Sequence, residues 1–282
     1  MFHRLSASFD RLRRRWQYGL VSTVVALSLI LSSAQPSSAI PWLELILRGV
    51  QVIQLSNLSD RSEVELGRRI NDQLISQEFR VVRDRAITDY VNQIGQRLAP
   101  LSDRPNLPYV FQVVDSDQVN AFATMGGYVY VTTGLMRAAD NEAQLASVIS
   151  HEIGHIAANH AVEQMREAAI ASGLVSAAGL DRSTAVNLGV DLAIRRPHSR
   201  QAEFEADQKG LVNLTRAGYV PRAMVEFMQK LLGQRSVPSF LSTHPATSDR
   251  ITALNRQINP ATADQGSGQD NSAYRSRIQA LL

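Results

Sequence analysis

Cysteine is absent from the 282 residues of this chain. Its absence excludes disulfide bonds, thiolate metal ligands and a lipid-modified N-terminal cysteine. Uninterrupted apolar stretches are also short, because the main run, Leu20 to Leu31, has about a dozen residues and a membrane span needs about 20. With 44% hydrophobic residues, a chain of this length can still bury a core without covalent cross-links.

The first 39 residues have the composition of an export signal. Five arginines against one acidic residue come before the apolar run, and Ser37 and Ala39 place small residues at positions −3 and −1 of a cleavage site. We therefore predict that residues 1–39 form an export signal peptide, with an uncleaved anchor as the alternative. The predicted location is an exported compartment, either the periplasm or the membrane surface on the far side of the inner membrane.

Charge argues against a nucleic-acid partner. The formal net charge of +3 comes from the predicted signal, since residues 40–282 contain 24 Lys and Arg against 25 Asp and Glu, a net charge of −1. A nucleic-acid-binding domain needs a basic surface that neutralises phosphates. We therefore predict that this protein does not bind nucleic acid.

Composition divides the rest of the chain into three parts. Residues 40–58 are apolar and predict an amphipathic helix that either packs on the domain or makes peripheral contact with a membrane. Residues 59–260 are predicted to form one domain. Residues 261–282 are predicted to be a polar, flexible tail because Asp264 to Ser272 is rich in Gly, Ser, Gln and Asp. The sequence does not predict the oligomeric state.

The domain is predicted to be α+β and mostly helical. Apolar spacing predicts two core-facing helices between Glu63 and Leu98. Two β runs, Tyr109 to Val114 and Tyr128 to Val131, predict a small antiparallel sheet. A strand at about 120–131 would either pair with an extended polypeptide through its backbone or form an ordinary structural hairpin. The predicted substrate-binding residues here are Asn120, Ala121, Phe122, Ala123 and Gly127.

One five-residue motif predicts the chemistry. His151-Glu152-Ile153-Gly154-His155 is an H-E-x-x-H sequence in a segment with helical spacing, from Asn141 to Met165, that Asp140 would cap. Because residues i and i+4 share a helix face, the two histidines can bind one Zn²⁺ while Glu152 lies beside its open position. A glycine inside a helix costs about 1 kcal/mol of helix stability relative to alanine. Its presence at position 154 therefore indicates that another backbone or a substrate approaches the helix closely there.

A catalytic zinc site needs a third protein ligand. The best donor segment is Ser199 to Asp207, where Glu203 and Asp207 share a helix face and Glu205 points roughly 200° away. We expect Glu203 to bind the metal and Asp207 to accept a hydrogen bond from a metal-bound histidine. Without the upstream motif, the same acids would equally well form a solvated helix face.

Three motifs together resemble the M48 family of zinc metallopeptidases. They are the H-E-x-x-H motif, Ser199-Arg200-x-x-Glu203-x-x-Ala206-Asp207, and Thr243-His244-Pro245 followed by Arg250-Ile251, within about residues 60–257. The resemblance implies a gluzincin fold with a short substrate-holding β element beside the metal helix and one Zn²⁺ per chain. It also implies His151, His155 and Glu203 as ligands and Glu152 as catalytic base.

The chain is most similar to soluble, exported members of that family. Integral-membrane members have a pair of long apolar spans beside the motif, and this chain does not. No helical-repeat domain is expected after residue 260. In such relatives the histidine of the T-H-P element can occupy the fourth metal position and keep the enzyme latent. His244 is therefore either a switch or a residue that caps a loop before Pro245.

Three other residues receive minor roles. Arg250 is expected to contact substrate. His160 and His198 are expected to be incidental, although His198 directly precedes the predicted ligand helix and could aid an oxyanion.

The predicted function is zinc-dependent endopeptidase activity of the EC 3.4.24 type on misfolded or membrane-associated polypeptides, in protein quality control. The metal would polarise the scissile carbonyl and lower the pKa of the attacking water, and Glu152 would move the proton to the leaving amine. The alternative is a latent, metal-bound chaperone or binding module with little peptidase activity. In that case residues 40–58 and 166–198 would contact membrane or misfolded clients.

Overall fold

The structure, a computed structural model, describes residues 52–53, 55, 58–172, 180–234, 237–245 and 248–282. All of them belong to one unit that comprises Gln51–Leu282. The predicted export signal and most of the apolar segment at 40–58 lie outside the described residues. Within the described ranges, no helix combines the length and the apolar character needed to cross a membrane.

Helices build most of the fold, which confirms the mostly helical α+β prediction. The two helices predicted before residue 98 are α1 and α2, and a π-helical turn, Leu74–Glu78, extends the first of them. The helices are α1 Asp60–Gln73, α2 Arg85–Leu98, α3 Thr133–Ala138, α4 Glu142–Ala157, α5 His160–Ala171, α6 Arg182–Arg195, α7 Arg200–Arg216, α8 Arg222–Leu232, α9 Ser239–Thr243, α10 Ser248–Gln257 and α11 Asn271–Arg277.

In the described part of the chain, five short strands form two sheets. β1 (Val52–Ile53) pairs antiparallel with β5 (Leu180–Asp181), so these two residues form a strand where the sequence predicts a helix. The larger sheet contains β2 (Val110–Val114), β3 (Ala121–Thr124) and β4 (Tyr128–Thr132) in the order β2-β4-β3.

The larger sheet is mixed, whereas the sequence predicts an antiparallel one. β3 and β4 are antiparallel with Phe122 opposite Tyr130, but β2 and β4 are parallel with Gln112 opposite Tyr130. The tight turn after β3 reverses the chain, so that β4 runs antiparallel to β3. β4 lies between β3 and β2 and runs in the same direction as β2. The sheet still leaves β3 as an edge strand.

The turn between β3 and β4 is bound to α1. Gly126 and Gly127 have φ of 76° and 97°, a region that favours glycine, and the N–H of Gly126 donates to Glu63 Oε1 at 2.8 Å. Gly67 permits this contact, since a Cβ there would lie 2.1 Å from the carbonyl oxygen of Met125. The turn therefore fixes β3 relative to α1.

Helix α4 runs through the larger of two hydrophobic clusters. That cluster combines apolar residues of α2, the sheet, α4, α7 and α8, and it includes Leu145, Ile149 and Ile153, each at most 1% exposed. The second cluster combines residues of α1, α5 and α6 with Phe122 and Tyr130. Because α4 is buried on all sides, side chains on it are held in place by packing.

The C-terminal residues 261–282 are folded, in contrast to the flexible tail that their composition predicts. Tyr274 in α11 is 1% exposed and donates from its hydroxyl to the carbonyl of Met136 at 2.7 Å. The carbonyl of Gly268 accepts from the N–H of Ala143 in the first turn of α4 at 2.9 Å. Few buried residues anchor this segment, so composition alone does not reveal its packing.

Candidate metal centre

The H-E-x-x-H residues lie in the second half of α4. The helix begins after Asn141, whose side chain accepts from the N–H of Gln144 at 3.1 Å, so Asn141 rather than the neighbouring Asp140 is the N-cap. Every residue from Ala143 to Ile156 is buried. The rings of His151 and His155 lie one helical turn apart, with their Nε2 atoms 3.1 Å from each other.

Helix α7 crosses α4 at very short distance because two glycines lie at the crossing. A Cβ on Gly154 would lie 2.6 Å from the carbonyl oxygen of Ala206, and one on Gly210 would lie 3.0 Å from the Cα of His151. The close approach expected at Gly154 is therefore that of another backbone. Ser199 caps α7 as predicted, and the crossing brings Glu203 to the histidines.

Four buried donors converge at one point. The Glu203 carboxylate lies 3.3 Å from His155 Nε2 and 3.5 Å from His151 Nε2. His244 Nδ1 lies 3.1 Å from Glu203 Oε1 and 3.3 Å from His151 Nε2. Ligands about 2.1 Å from a tetrahedral zinc ion are about 3.4 Å apart. The spacing and the nitrogen and oxygen donors fit one tetrahedrally bound metal ion.

Glu152 is buried beside these donors without a hydrogen-bond partner among the described residues. His244 Nε2 lies 3.4 Å from its Oε1. Burial raises the pKa of Glu152, and the nearby rings of His244 and His151 oppose the rise. An unpartnered buried carboxylate is costly unless a bound group or water satisfies it. Its position therefore also fits a metal centre that holds a water molecule.

Asp207 and Arg250 lie behind the ligands. Asp207 Oδ1 is 3.0 Å from His151 Nδ1, as the sequence predicts for a residue that orients a metal-binding ring. Arg250 contacts Asp207 from Nε and Nη2, both at 2.7 Å, and its Nη1 lies 2.5 Å from Glu203 Oε2. Burial opposes ionisation of Asp207, but bonds from Arg250 and His151 lower its pKa.

Arg250 does not have the surface position that substrate contact requires. It is 1% exposed, and its guanidinium neutralises two buried carboxylates. Two such carboxylates need a cation, because a buried charge without a partner is strongly destabilising. The structure therefore places Arg250 as a support of Glu203 and Asp207.

His160 and His198 also belong to this cluster, although the sequence suggests that they are incidental. His160 Nδ1 lies 2.9 Å from His155 Nδ1, and the ring of His198 stacks on His155 with centroids 4.0 Å apart. Burial lowers the pKa of both rings, that of His198 to about 3. Helical periodicity cannot reveal these contacts, because α4 ends before His160 and His198 lies between helices.

The edge strand β3 runs beside α4. Asn120 and Thr132 are hydrogen-bonded partners, so the alternation of an antiparallel pair directs the backbone groups of Ala121 and Ala123 away from β4. Gly189 and Leu192 of α6 line a cavity of about 20 Å³ together with Ala123. Helix α6 therefore lies close to β3.

The other residues expected to bind substrate have structural contacts. The ring of Phe122 stacks on Tyr130 with centroids 4.6 Å apart and is buried. Gly127 faces Pro108, whose carbonyl oxygen would lie 3.1 Å from an added Cβ. Asn120 keeps one buried side-chain oxygen without a partner in the described part of the chain. Within β3, the backbone of Ala121 and Ala123 is thus the element available to an extended ligand.

Comparison with known proteins agrees with this geometry. The model of peptidase family M48 matches residues 86–258, which include all four donors and Glu152. The Beta-barrel assembly-enhancing protease of Escherichia coli (strain K12) is 32% identical over 221 residues, which cover 72% of this chain and 45% of that protein. The mitochondrial metalloendopeptidase OMA1 of Bos taurus is 30% identical over 207 residues, 67% of this chain and 39% of that protein.

A plant relative gives the same result: the mitochondrial metalloendopeptidase OMA1 of Arabidopsis thaliana is 33% identical over 191 residues, 66% of this chain and 39% of that protein. The chain thus spans less than half the length of these curated relatives. The family model covers more than half of the chain. This chain belongs to peptidase family M48.

Proposed function

We propose that this protein is a zinc-dependent endopeptidase that hydrolyses misfolded or membrane-associated polypeptides in an exported compartment. One observation carries the proposal: four buried donors converge beside the buried carboxylate of Glu152. Membership of peptidase family M48 supports it, as do the names of the relatives, which are proteases and metalloendopeptidases.

The proposed ion is one Zn²⁺ per chain, held by His151, His155 and Glu203. Imidazole and carboxylate ligands in tetrahedral arrangement suit zinc, and the chain has no thiolate to offer. When bound, the ion would polarise the scissile carbonyl and lower the pKa of the attacking water. Asp207 would keep the proton of His151 on Nδ1, so that Nε2 is the ligand atom.

Glu152 is the proposed general base and acid. Its buried carboxylate would take a proton from the attacking water and deliver it to the leaving amine. Burial favours this role, because a raised pKa brings a carboxylate closer to the value at which it exchanges protons near neutral pH. The backbone of Ala121 and Ala123 in β3 would pair with the substrate beside this carboxylate.

His244 is the proposed switch. A catalytic zinc site needs an open position, and here a fourth donor, His244 Nδ1, takes that position while Nε2 faces Glu152. The ring therefore occupies the space that water and the scissile carbonyl need. We propose that the structure represents a latent state, from which His244 must withdraw.

A second candidate function also has a specific observation in its favour. A site closed by four protein ligands is typical of structural zinc, which stabilises a fold and does no chemistry. The protein would then be a latent, metal-bound chaperone or binding module. This second candidate function predicts that the protein binds metal and client polypeptides without cleaving them, even after His244 is replaced.

The proposed setting is protein quality control outside the cytoplasm. The arginine-rich, apolar start of the chain supports export, and the name of the Escherichia coli relative associates that protein with β-barrel assembly. Peripheral membrane contact through residues 40–58 and the absence of nucleic-acid partners are part of the same proposal.

Casein cleavage by the zinc-loaded protein tests the proposed function. We expect slow cleavage by the wild type, faster cleavage by His244→Ala, and at least about 100-fold less by Glu152→Gln, with metal retained. His244→Ala combined with Glu152→Gln should be as inactive as the single Glu152 variant. Cleavage by that double variant would exclude Glu152 as the base. Zinc binding without cleavage by either the wild type or His244→Ala would favour the binding module.

A further inference from the structure

We propose that His160, together with Glu205, positions the metal ligand His155 as Asp207 positions His151. The inference rests on the proposed function, because it takes His155 as a ligand through Nε2. It assigns a role to two residues on different helices, α5 and α7, that the three motifs of the family resemblance do not include.

The outer nitrogen of His155 has one close polar neighbour in the described contacts. Its Nε2 faces His151 and Glu203, while its Nδ1 lies 2.9 Å from His160 Nδ1. A neutral imidazole that binds metal through Nε2 carries its proton on Nδ1. Nδ1–H of His155 therefore donates to Nδ1 of His160.

That donation determines the proton on His160. If its Nδ1 accepts, the ring of a neutral His160 carries its proton on Nε2. Nε2 lies 3.5 Å from Glu205 Oε2, within ion-pair distance, and the Glu205 carboxylate is 3.7 Å from Lys209. The result is a chain from carboxylate through imidazole to the metal-binding imidazole. It fixes both the tautomer and the orientation of the His155 ring.

The two metal-binding histidines need different partners because of where they lie on α4. His151 faces Asp207 directly across the helix crossing, at 3.0 Å. His155 lies in the last turn of α4, and Glu205 projects from α7 far from the face that carries Glu203. A ring interposed between His155 and Glu205 spans that separation.

The turn between α4 and α5 brings His160 back to His155. Asn159 has φ of 59°, in the left-handed region that residues other than glycine rarely adopt. Among the described residues, no other non-glycine residue has a positive φ. Its side-chain oxygen accepts from Arg104 Nη1, which also donates to the carbonyl of Ile156 at 3.3 Å. Arg104 is itself held by Glu63, with Nη2 2.7 Å from Oε2. His160 then begins α5 in a position set by this turn.

Metal affinity tests the role without relying on activity. The variants are His160→Asn, whose Oδ1 takes the place of Nδ1, and His160→Gln, whose amide extends toward the place of Nε2. Affinity would be measured by competition with a chromophoric chelator for Zn²⁺, and ligand geometry by the visible spectrum of the Co²⁺-loaded protein. We expect His160→Gln and His160→Ala to weaken zinc binding about 10–100-fold and to alter the spectrum. His160→Asn should stay within a few-fold of wild type.

Glu205 has a matched control in the chain. Glu205→Gln should weaken metal binding less than His160→Ala does, whereas Glu163→Gln should leave it unchanged. Glu163 lies on α5, and its side chain is 49% exposed and paired with an arginine, against 45% exposure for Glu205. Equal effects of the two glutamate variants would remove Glu205 from the proposal.

His155→Ala separates failure of this inference from failure of the proposed function. Wild-type metal affinity and an unchanged Co²⁺ spectrum in His160→Ala and His160→Gln, with metal binding lost in His155→Ala, would overturn the role of His160 alone. Wild-type affinity in His155→Ala would overturn the metal site itself. Circular dichroism checks folding; if His160→Ala does not fold, the comparison of His160→Asn with His160→Gln decides.

Discussion

The four candidate metal donors come from two regions that are built differently. His151, His155 and Glu203 lie on α4 and α7, two helices of 16 and 17 residues that cross at Gly154 and Gly210. His244 follows α9, a helix of five residues, and its backbone N–H donates to Phe240 at 2.8 Å. Three of the candidate donors therefore belong to long helices in the core, and the fourth belongs to a short connection. This difference agrees with the proposal that His244 can withdraw from the site.

The largest expected effect is a difference in zinc affinity between a variant that lacks a core ligand and a variant that lacks His244. His155→Ala should weaken zinc binding more than about 100-fold, because loss of a ligand exceeds the 10–100-fold typical of its outer partners. His244→Ala should weaken it less than about 10-fold, since water can take its place. Chelator competition on both variants measures the difference. Equal losses would show that His244 is a permanent ligand.

The second prediction concerns the cation behind the core ligands. Arg250→Leu should destabilise the metal-free protein by about 3–5 kcal/mol, because it leaves the buried carboxylates of Glu203 and Asp207 without their partner. Added zinc should restore part of that loss by supplying positive charge beside Glu203. Urea unfolding with and without zinc measures both effects.

The matched control for Arg250 is Arg256, which lies on the same helix and is exposed. Arg256→Leu should change the free energy of unfolding by less than about 0.5 kcal/mol. Similar losses of unfolding free energy in Arg250→Leu and Arg256→Leu would mean that any such change in helix α10 destabilises the protein. The buried ion pairs would then not be the cause.

The third prediction concerns the crossing of α4 and α7. Gly154→Ala should cost about 1–2 kcal/mol of unfolding free energy, because the added Cβ would lie 2.6 Å from the carbonyl oxygen of Ala206 and push the helices apart. Gly233→Ala is the control, as its Cβ would meet the nearest atom at 3.5 Å. Metal affinity should fall in Gly154→Ala alone, and retention of wild-type stability there would contradict the rigid crossing.

The last prediction concerns a pH dependence of the core pair His151 and Asp207. Burial alone would lower the pKa of His151, but Asp207 and Glu203 raise it to about 10 in the metal-free protein. The stabilisation from protonated His151 is thus complete below its unfolded pKa of about 6.5 and is lost as pH rises through about 10. Zinc must displace that proton, so affinity should rise about tenfold per pH unit between these values.

Calorimetry in buffers of different ionisation enthalpy checks this effect. We expect release of about one proton per zinc ion at pH 8, and less in Asp207→Asn, which lacks the charge that raises the pKa of His151. Unchanged proton release in that variant would show that Asp207 does not raise the pKa of His151.

Prediction from sequence succeeded where local spacing decides the outcome. The two helices before residue 98, the Ser199 cap and the shared face of Glu203 and Asp207 all follow from helical periodicity and capping chemistry. It was less successful where contacts are distant in sequence. The parallel pairing of β2, the packed C-terminus and the burial of Arg250 depend on partners that no local pattern identifies.

The sequence by itself determined the identity of the chemistry. Spacing of four residues on a helix places His151 and His155 on one face with Glu152 beside them, and the backbone geometry of any α-helix guarantees that result. Only the tertiary structure decided that His244 lies beside the other three donors, that His160 contacts His155, and that Arg250 pairs with Glu203 and Asp207. Those contacts join residues 5 to 93 positions apart across helix ends and crossings, where packing, not periodicity, sets the distance.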